Sequence, residues 1–398
     1  MSTPARPASA ASVVAPGSSG PVVVAARRTA IGTAHRAFAG VQAADLAAPV
    51  LAALLEDVAR LPGLGARTPR EVVLGNCTGP GGDVARVAAL AAGLPAHVPA
   101  LTVDRQCGSG LAALEVATAQ LVAAPGLVLA GGVESASTAP WRFWPPGPGQ
   151  DPVRYERAPF APAAVGDPDM GLAADLLAEE RGVSRQRQDA YAARSHARAW
   201  RTREAGGFDD EVVVVAGVDR DERPRPGLDE DRLSRLPPAF RRDGTVTAGS
   251  SCGVNDGAAA VALVDAATHA ASGAPGLQVL AVASAGVDPN RPGIGLVPAA
   301  QAVLDAAGLD VHEVDVVELN EAFAGQVLAC CDELGLDEER VCPEGGALAL
   351  GHPWGASGAV LAVRLFTQLV RRGRGDTGLA AIAVGGGQGV AMVVRRCP

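Results

Sequence analysis

The sequence predicts an α/β fold, and three observations carry that prediction. Short runs rich in Val, Leu and Ile alternate along the chain with longer helical segments, the pattern of buried strands separated by covering helices. Aromatic residues make up 3% of the chain while hydrophobic residues make up 48%, so the core must be built from Ala, Val and Leu, which suit closely packed layers. One order of units also occurs twice. The 398 residues exceed one ordinary core, so two or three packed layers or domains are expected.

Residues 1–20 are rich in Ala, Ser and Pro, without the basic start and apolar centre of a secretion signal, and read as a disordered tail. Strand-like runs follow at PVVVAA (21–26), EVVLGN (71–76), GLVLAGG (126–132), QVLAVASAGV (278–287), VDVVELN (314–320) and AAIAVGGG (380–387). Such continuous apolar runs predict parallel strands covered on both faces. The repeat is CGSG, a helix and LVLAGG over 107–132, against GASG, a longer helix and AAIAVGGG over 355–387. Upstream of each lies a strand ending in Asn, at Asn76 and at Asn320. Two similar halves are expected, 21–135 plus 245–275 and 276–398. Between them, 136–244 concentrates Trp, Pro and Arg and then turns polar and helical at 184–206, so it reads as an inserted loop domain.

Composition excludes several functions. The net charge is −9 with no basic run, which argues against a nucleic-acid partner, and no apolar run reaches membrane-span length. The seven cysteines are scattered without a C-x-x-C pair; that fits a reducing cytoplasm and no metal site better than disulfides or zinc. The chain has no lysine, which removes Walker-type phosphate loops and Schiff-base enzymes.

Cys107 opens a predicted helix in DRQCGSGLAA (104–113). The helix dipole favours a thiolate there, although a free Cys also serves as a small buried residue. His352 lies in the glycine-dense GGALALGHPWGASG (345–358), where it could take a thiol proton or merely tie a turn. Asn320 ends a buried strand, where α/β folds place sites and where a cap would also fit. GGGQG (385–389) is followed by VAMVVRR, so a β-hairpin is expected in place of a dinucleotide site, which needs a helix there. Cys330 and Cys331 fall on a predicted helix and read as packing.

Taken together, DRQCGSGLAA, GGVES (131–135), AFRRDGTVTAGSSCGVNDGAAA (239–260), NEAFA (320–324), GGALALGHPWGASG and GGGQG, in that order, resemble the thiolase family, whose members make or cleave β-ketoacyl-CoA. The resemblance spans 21–398, and 170–199 matches the family's loop domain. It implies a five-layered αβαβα fold of two halves, assembled as a homodimer or homotetramer. CoA thioesters would be substrates, with no permanently bound cofactor. By the same resemblance Cys107 is the acyl-accepting nucleophile and His352 activates it. Asn320 positions a water in one oxyanion hole, and the N–H groups of Cys107 and Gly385 form another. Met170, Ser251, Cys252 and Phe323 fall at channel-lining positions.

The chain departs from the family pattern at Ala383, two residues before the glycine triplet, where the family carries a second cysteine. That cysteine removes the α-proton of the incoming acyl-CoA, which alanine cannot do. Three readings stay open at this point. Cys252 or Cys342 could act as a relocated base. The enzyme could use a malonyl-type donor or a non-carbon acceptor, which avoids α-deprotonation. Or the chain could be a non-catalytic partner subunit.

Overall fold

The computed structural model describes residues 11–397. The strands are β1 (Ser12–Val14), β2 (Val22–Thr29), β3 (Gly32–Thr33), β4 (Glu71–Gly75), β5 (Ala100–Val103), β6 (Leu127–Ser135), β7 (Arg142–Trp144), β8 (Val153–Tyr155), β9 (Val212–Val213), β10 (Asn255–Val264), β11 (Gly276–Gly286), β12 (Val316–Leu319), β13 (Thr377–Val384) and β14 (Gln388–Cys397). The main sheet runs β12-β13-β14-β11-β2-β10-β6-β4-β5, with β1 on β11, β3 on β10 and β9 on β2.

The two halves of that order match. Reading outward from the centre, β2-β10-β6-β4 pairs antiparallel, antiparallel, parallel. On the other side, β11-β14-β13-β12 repeats the same succession. The expectation of parallel strands throughout is therefore corrected, because the central pairs are antiparallel. A strand buried on both faces is apolar along its length whichever way its neighbour runs, so the pattern reports burial and not direction.

Alternate residues along a strand feed different cores, as the period of two requires. Val22 and Val24 face the helices Ala43–Arg60 and Val84–Ala91. Val23 faces a central core shared with the helices Ser109–Ala123 and Trp354–Phe366. In the second half, Ala380 and Ile382 join that central core, while Leu379 and Ala381 face Leu296–Ala307 and Ala324–Leu334. The layers are helix, sheet, central helices, sheet, helix. Helix ends carry their own signals: Asp83, Asp169, Ser184 and Asp265 cap N-termini through their side chains, and left-handed glycines at 273, 308 and 335 end three helices.

The tail expected over 1–20 is corrected in part. Residues 1–10 lie outside the described residues, but Ser12–Val14 pairs antiparallel with Val282–Ser284, joining the central strand β11. Residues 136–244 hold the β7–β8 hairpin, the helices Met170–Glu180 and Arg185–Glu204, and β9. A buried charge network ties this segment to both halves. Glu211 accepts from Arg28 (2.7 Å) and from Arg364, Arg28 also pairs with Asp221 (2.7 Å), and Arg364 continues to Glu344.

Candidate active site

Cys107 is placed by the turn between β5 and the Ser109–Ala123 helix. The Asp104 carboxylate accepts from the Gln106 N–H (2.8 Å). Ser109 Oγ accepts from the Arg105 N–H (2.8 Å) and donates to the Gln106 carbonyl (2.6 Å). Gln106 is held at a left-handed φ of 45°, a conformation rare outside glycine that the surrounding bonds must stabilise. The turn leaves the Cys107 thiol half-buried at the helix start.

His352 follows Gly351, whose φ of 116° admits only glycine without strain. Its N–H donates to Asn255 Oδ1 (2.9 Å), and Asn255 Nδ2 donates in turn to the Gly32 carbonyl (2.8 Å). His352 Nδ1 meets Ser357 Oγ at 2.6 Å. The other ring nitrogen, Nε2, is buried and has no partner in the protein. Burial pushes the imidazole down to about 4, so it is neutral at physiological pH and can accept a proton.

Cys107, Met170, Cys252, Phe323, His352, Ala383 and Gly385 line one cavity of about 120 Å³. The expected β-hairpin is present: Val384 pairs with Gln388 across Gly385-Gly386-Gly387. The N–H groups of Cys107 and Gly385 lie near the Cys107 sulfur and favour its anion. Burial acts more strongly in the opposite direction and pushes the thiol up to about 12. The pull of the helix start toward the thiolate is thus outweighed by burial. In so apolar a site the thiol keeps its proton until a base takes it.

Not every expected residue reaches this wall. Asn320 borders a smaller cavity behind it, together with Ser357, Glu318 and Arg364, and its Nδ2 is buried without a partner. Ser251 does not line the cavity; its hydroxyl donates to the Thr247 carbonyl (2.7 Å). Cys342 is buried with its sulfur on the Leu319 carbonyl (3.2 Å), also off the wall. Cys330 and Cys331 pack in the core of the second half, as read from the sequence.

Several wall residues escaped sequence reasoning. Ala173, Ala174, Pro292, Gly293 and Gln326 complete an apolar lining with one amide. Gln326 lies three positions beyond Phe323, on the same face of the helix it opens, and that spacing was the available signal. Gln326 Nε2 donates to the Gly293 carbonyl (3.1 Å). The Glu134 carboxylate beneath the site binds the N–H groups of Cys77 (3.2 Å), Thr78 (3.1 Å) and Gly355 (2.9 Å). It thereby joins the loop beside Cys107 to the helix that follows His352.

A thiol and a neutral imidazole on one apolar wall, framed by layered α/β halves, are the kind of groups that cysteine-dependent transferases and hydrolases use. Comparison with known proteins narrows this. The family model described as thiolase, N-terminal domain, matches residues 21–267, and that for thiolase, C-terminal domain, matches 274–396. An acetyl-CoA acetyltransferase of Pseudomonas aeruginosa is 43% identical over 94% of this chain and 99% of its own length. A beta-ketoadipyl-CoA thiolase of the same organism is 44% identical over 93% and 97%. The crystal structure of the Bacillus anthracis acetyl-CoA acetyltransferase matches with a TM-score of 0.86 at 36% identity, covering 95% of this chain and 99% of that one. The chain belongs to the thiolase family, and with it to the acyltransferases.

Proposed function

We propose that the chain is an acyl-CoA C-acyltransferase that makes or cleaves a β-ketoacyl-CoA through an acyl-Cys107 thioester, with acid–base chemistry altered by Ala383. The observation that carries this reading is the Cys107 thiol sharing an apolar cavity with His352, whose buried Nε2 has no partner. His352 takes the Cys107 proton as sulfur attacks the thioester carbonyl, then returns it to the departing CoA sulfur. The N–H groups of Cys107 and Gly385 receive the negative charge that develops on the carbonyl oxygen. Asn320, on the far side of His352, positions a water for the second oxyanion. Met170, Cys252 and Phe323 contact the acyl and pantetheine portions, and Ser251 shapes the wall through its backbone.

CoA thioesters are substrates here, and no permanently bound cofactor enters the scheme. The assembly proposed is a homodimer or homotetramer in the cytoplasm. The edge strand β5 with exposed Leu101, and exposed Trp141, Phe143 and Trp144 around the β7–β8 hairpin, support subunit contacts. Among the described residues no helix is long and apolar enough to cross a membrane. The partition into 21–135 plus 245–275, 136–244 and 276–398 belongs to the same proposal.

The test follows intact protein mass and products with acetyl-CoA alone. A mass gain of one acetyl group on wild type, absent in Cys107→Ala, together with acetoacetyl-CoA, is expected. Acetylation that persists in Cys107→Ala refutes the nucleophile assignment. Product that forms only when malonyl-CoA is added refutes ordinary condensation.

A further inference from the structure

With alanine at 383, α-proton transfer needs another group in reach of the substrate. The titratable side chains on the cavity wall are Cys107, Cys252 and His352. Cys107 carries the acyl group during condensation and cannot act as base while acylated. His352 serves the loading step through its one free nitrogen. Cys342, the other candidate from the sequence, is bonded to the Leu319 carbonyl and off the wall. Cys77 donates to the Gln106 carbonyl (3.0 Å) beneath the Cys107 turn and is also off it. Cys252 remains.

Its surroundings are not those of a passive wall residue. The Cys252 N–H donates to the Ala322 carbonyl (3.0 Å), and Ser251 bridges to Phe323, so the backbone is pinned beside the cavity. The Arg223 guanidinium lies against the next residue. A Cβ built on Gly253 would stand 2.7 Å from Arg223 Cζ, so glycine there is what admits the cation. Arg223 forms no ion pair among the described residues, and its Nε is buried without a partner. A half-buried guanidinium lacking a carboxylate is costly unless an anion forms beside it.

We propose that Cys252, seated beside Arg223, is the acid–base residue that exchanges the α-proton of the acyl-CoA in place of a thiol at position 383. The proposal rests on the acyl-Cys107 reading above. In condensation, the Cys252 thiolate takes a proton from the α-carbon of the second acyl-CoA. The resulting carbanion forms the carbon–carbon bond at the Cys107 acyl carbonyl. The bond from that carbonyl to Cys107 sulfur breaks, and the leaving thiolate takes the proton from Cys252. The cycle closes with Cys107 as thiol and Cys252 as thiolate, and no other reactant is consumed. In cleavage the Cys252 thiol donates its proton to the departing carbanion. Burial pushes the Cys252 thiol up to about 12 while Arg223 draws it down. The thiolate is therefore the minor form at neutral pH and a strong base once formed, and the thiol form suits cleavage.

The experiment incubates acetyl-CoA with the full-length protein in D2O. It follows methyl deuteration by mass spectrometry alongside acetylation of Cys107. Wild type, Cys252→Ala, Ala383→Cys and the double variant are compared. Expected for Cys252→Ala is a fall of about 100-fold or more in deuteration relative to Cys107 acetylation, a ratio that divides out any effect of the substitution on acyl-CoA binding. Ala383→Cys in the same chain should restore deuteration, which a purely structural role for Cys252 would not allow. Undiminished deuteration in Cys252→Ala overturns the proposal and leaves the acyl-Cys107 reading intact. So does a wild type that acetylates without deuterating. Loss of both activities in Cys252→Ala, unrestored in the double variant, also overturns it, because Cys252 then only holds the wall. A wild type that never acetylates at Cys107 overturns both.

Discussion

Replacing Gly110 by alanine tests how the active site depends on the central helix pair. Gly110 sits three residues beyond Cys107, on the face of its helix that meets the Trp354–Phe366 helix. A Cβ there would stand 2.6 Å from Ala359 N and 3.1 Å from Gly355 O, where ordinary contact begins at 3.4 Å. The obstacle is backbone, so it cannot rotate away. Reciprocally, a Cβ on Gly358 would stand 2.5 Å from Leu111 N. The helices must separate by about 0.8 Å, the difference between 3.4 and 2.6 Å. Overpacking of this kind costs about 1–3 kcal/mol, or roughly 1–4 °C in melting temperature for a chain of this size. Catalysis should suffer more, because one helix carries Cys107 at its start and the other follows directly on His352. A misplacement near 1 Å costs on the order of 100-fold in rate. The assay is the rate of Cys107 acetylation by intact mass, with thermal unfolding in parallel. Gly40→Ala is the control, since its Cβ meets nothing within 4 Å. A Gly110→Ala protein that acetylates and melts like wild type would refute the claim that backbone contact between these helices sets the Cys107–His352 geometry.

Other expectations follow from the same structure. Ala383→Cys should raise acetoacetyl-CoA formation by about tenfold or more, since the position opens onto the cavity and acid–base groups commonly contribute 10²–10⁴-fold; no gain in a folded variant would mean the wall has diverged beyond that one group. Burial pushes His196 and His352 each down to about 4. Their stabilisation is fully present above the unfolded value of 6.5 and is lost as pH falls through 4, up to about 3 kcal/mol each. The urea midpoint should therefore fall between about pH 7 and pH 5, with a shallower slope in His196→Gln. Glu211→Ala leaves Arg28 and Arg364 without a shared buried carboxylate and should cost about 3–5 kcal/mol; a change below about 1 kcal/mol by chemical denaturation would contradict the network's role.

The duplicated architecture was legible because each half spells out the same units, with strands ending at Asn76 and Asn320 and glycine-rich helix starts after them. The strand β10 was not. Asn255–Val264 reads NDGAAAVALV, and Gly and Ala favour no strand by propensity. Its place between β2 and β6, buried along its whole length, overrides that propensity. The small residues let the Trp354–Phe366 helix lie close against it. Cys107 and His352 could be read because glycine-dense turns frame them. The protonation state of Cys107 could not, since it depends on how completely the rest of the fold excludes water. Arg223 was equally hidden. Nothing in DERPRP (221–226) tells that its guanidinium rests on Gly253, because only the folded insert brings the two together.

Two halves with the same topology nevertheless make one site, and the helix starts show why. In the sequence repeat, Cys107 of CGSG corresponds to Gly355 of GASG. Both positions open a central helix, and each such opening exposes N–H groups that favour negative charge. In the second half that demand is met permanently: the Gly355 N–H donates to the buried Glu134 carboxylate at 2.9 Å. In the first half, among the described residues, no carboxylate accepts from the equivalent helix opening. The sulfur of Cys107 lies there instead, near its own N–H and that of Gly385. One helix start is thus saturated by a fixed anion supplied by the first half. In the proposed mechanism the other is left for charge that develops only during reaction, and His352 and the Gly385 turn, both from the second half, complete it. Each half therefore supplies what the other lacks, so that under the proposed mechanism neither half alone could load an acyl group.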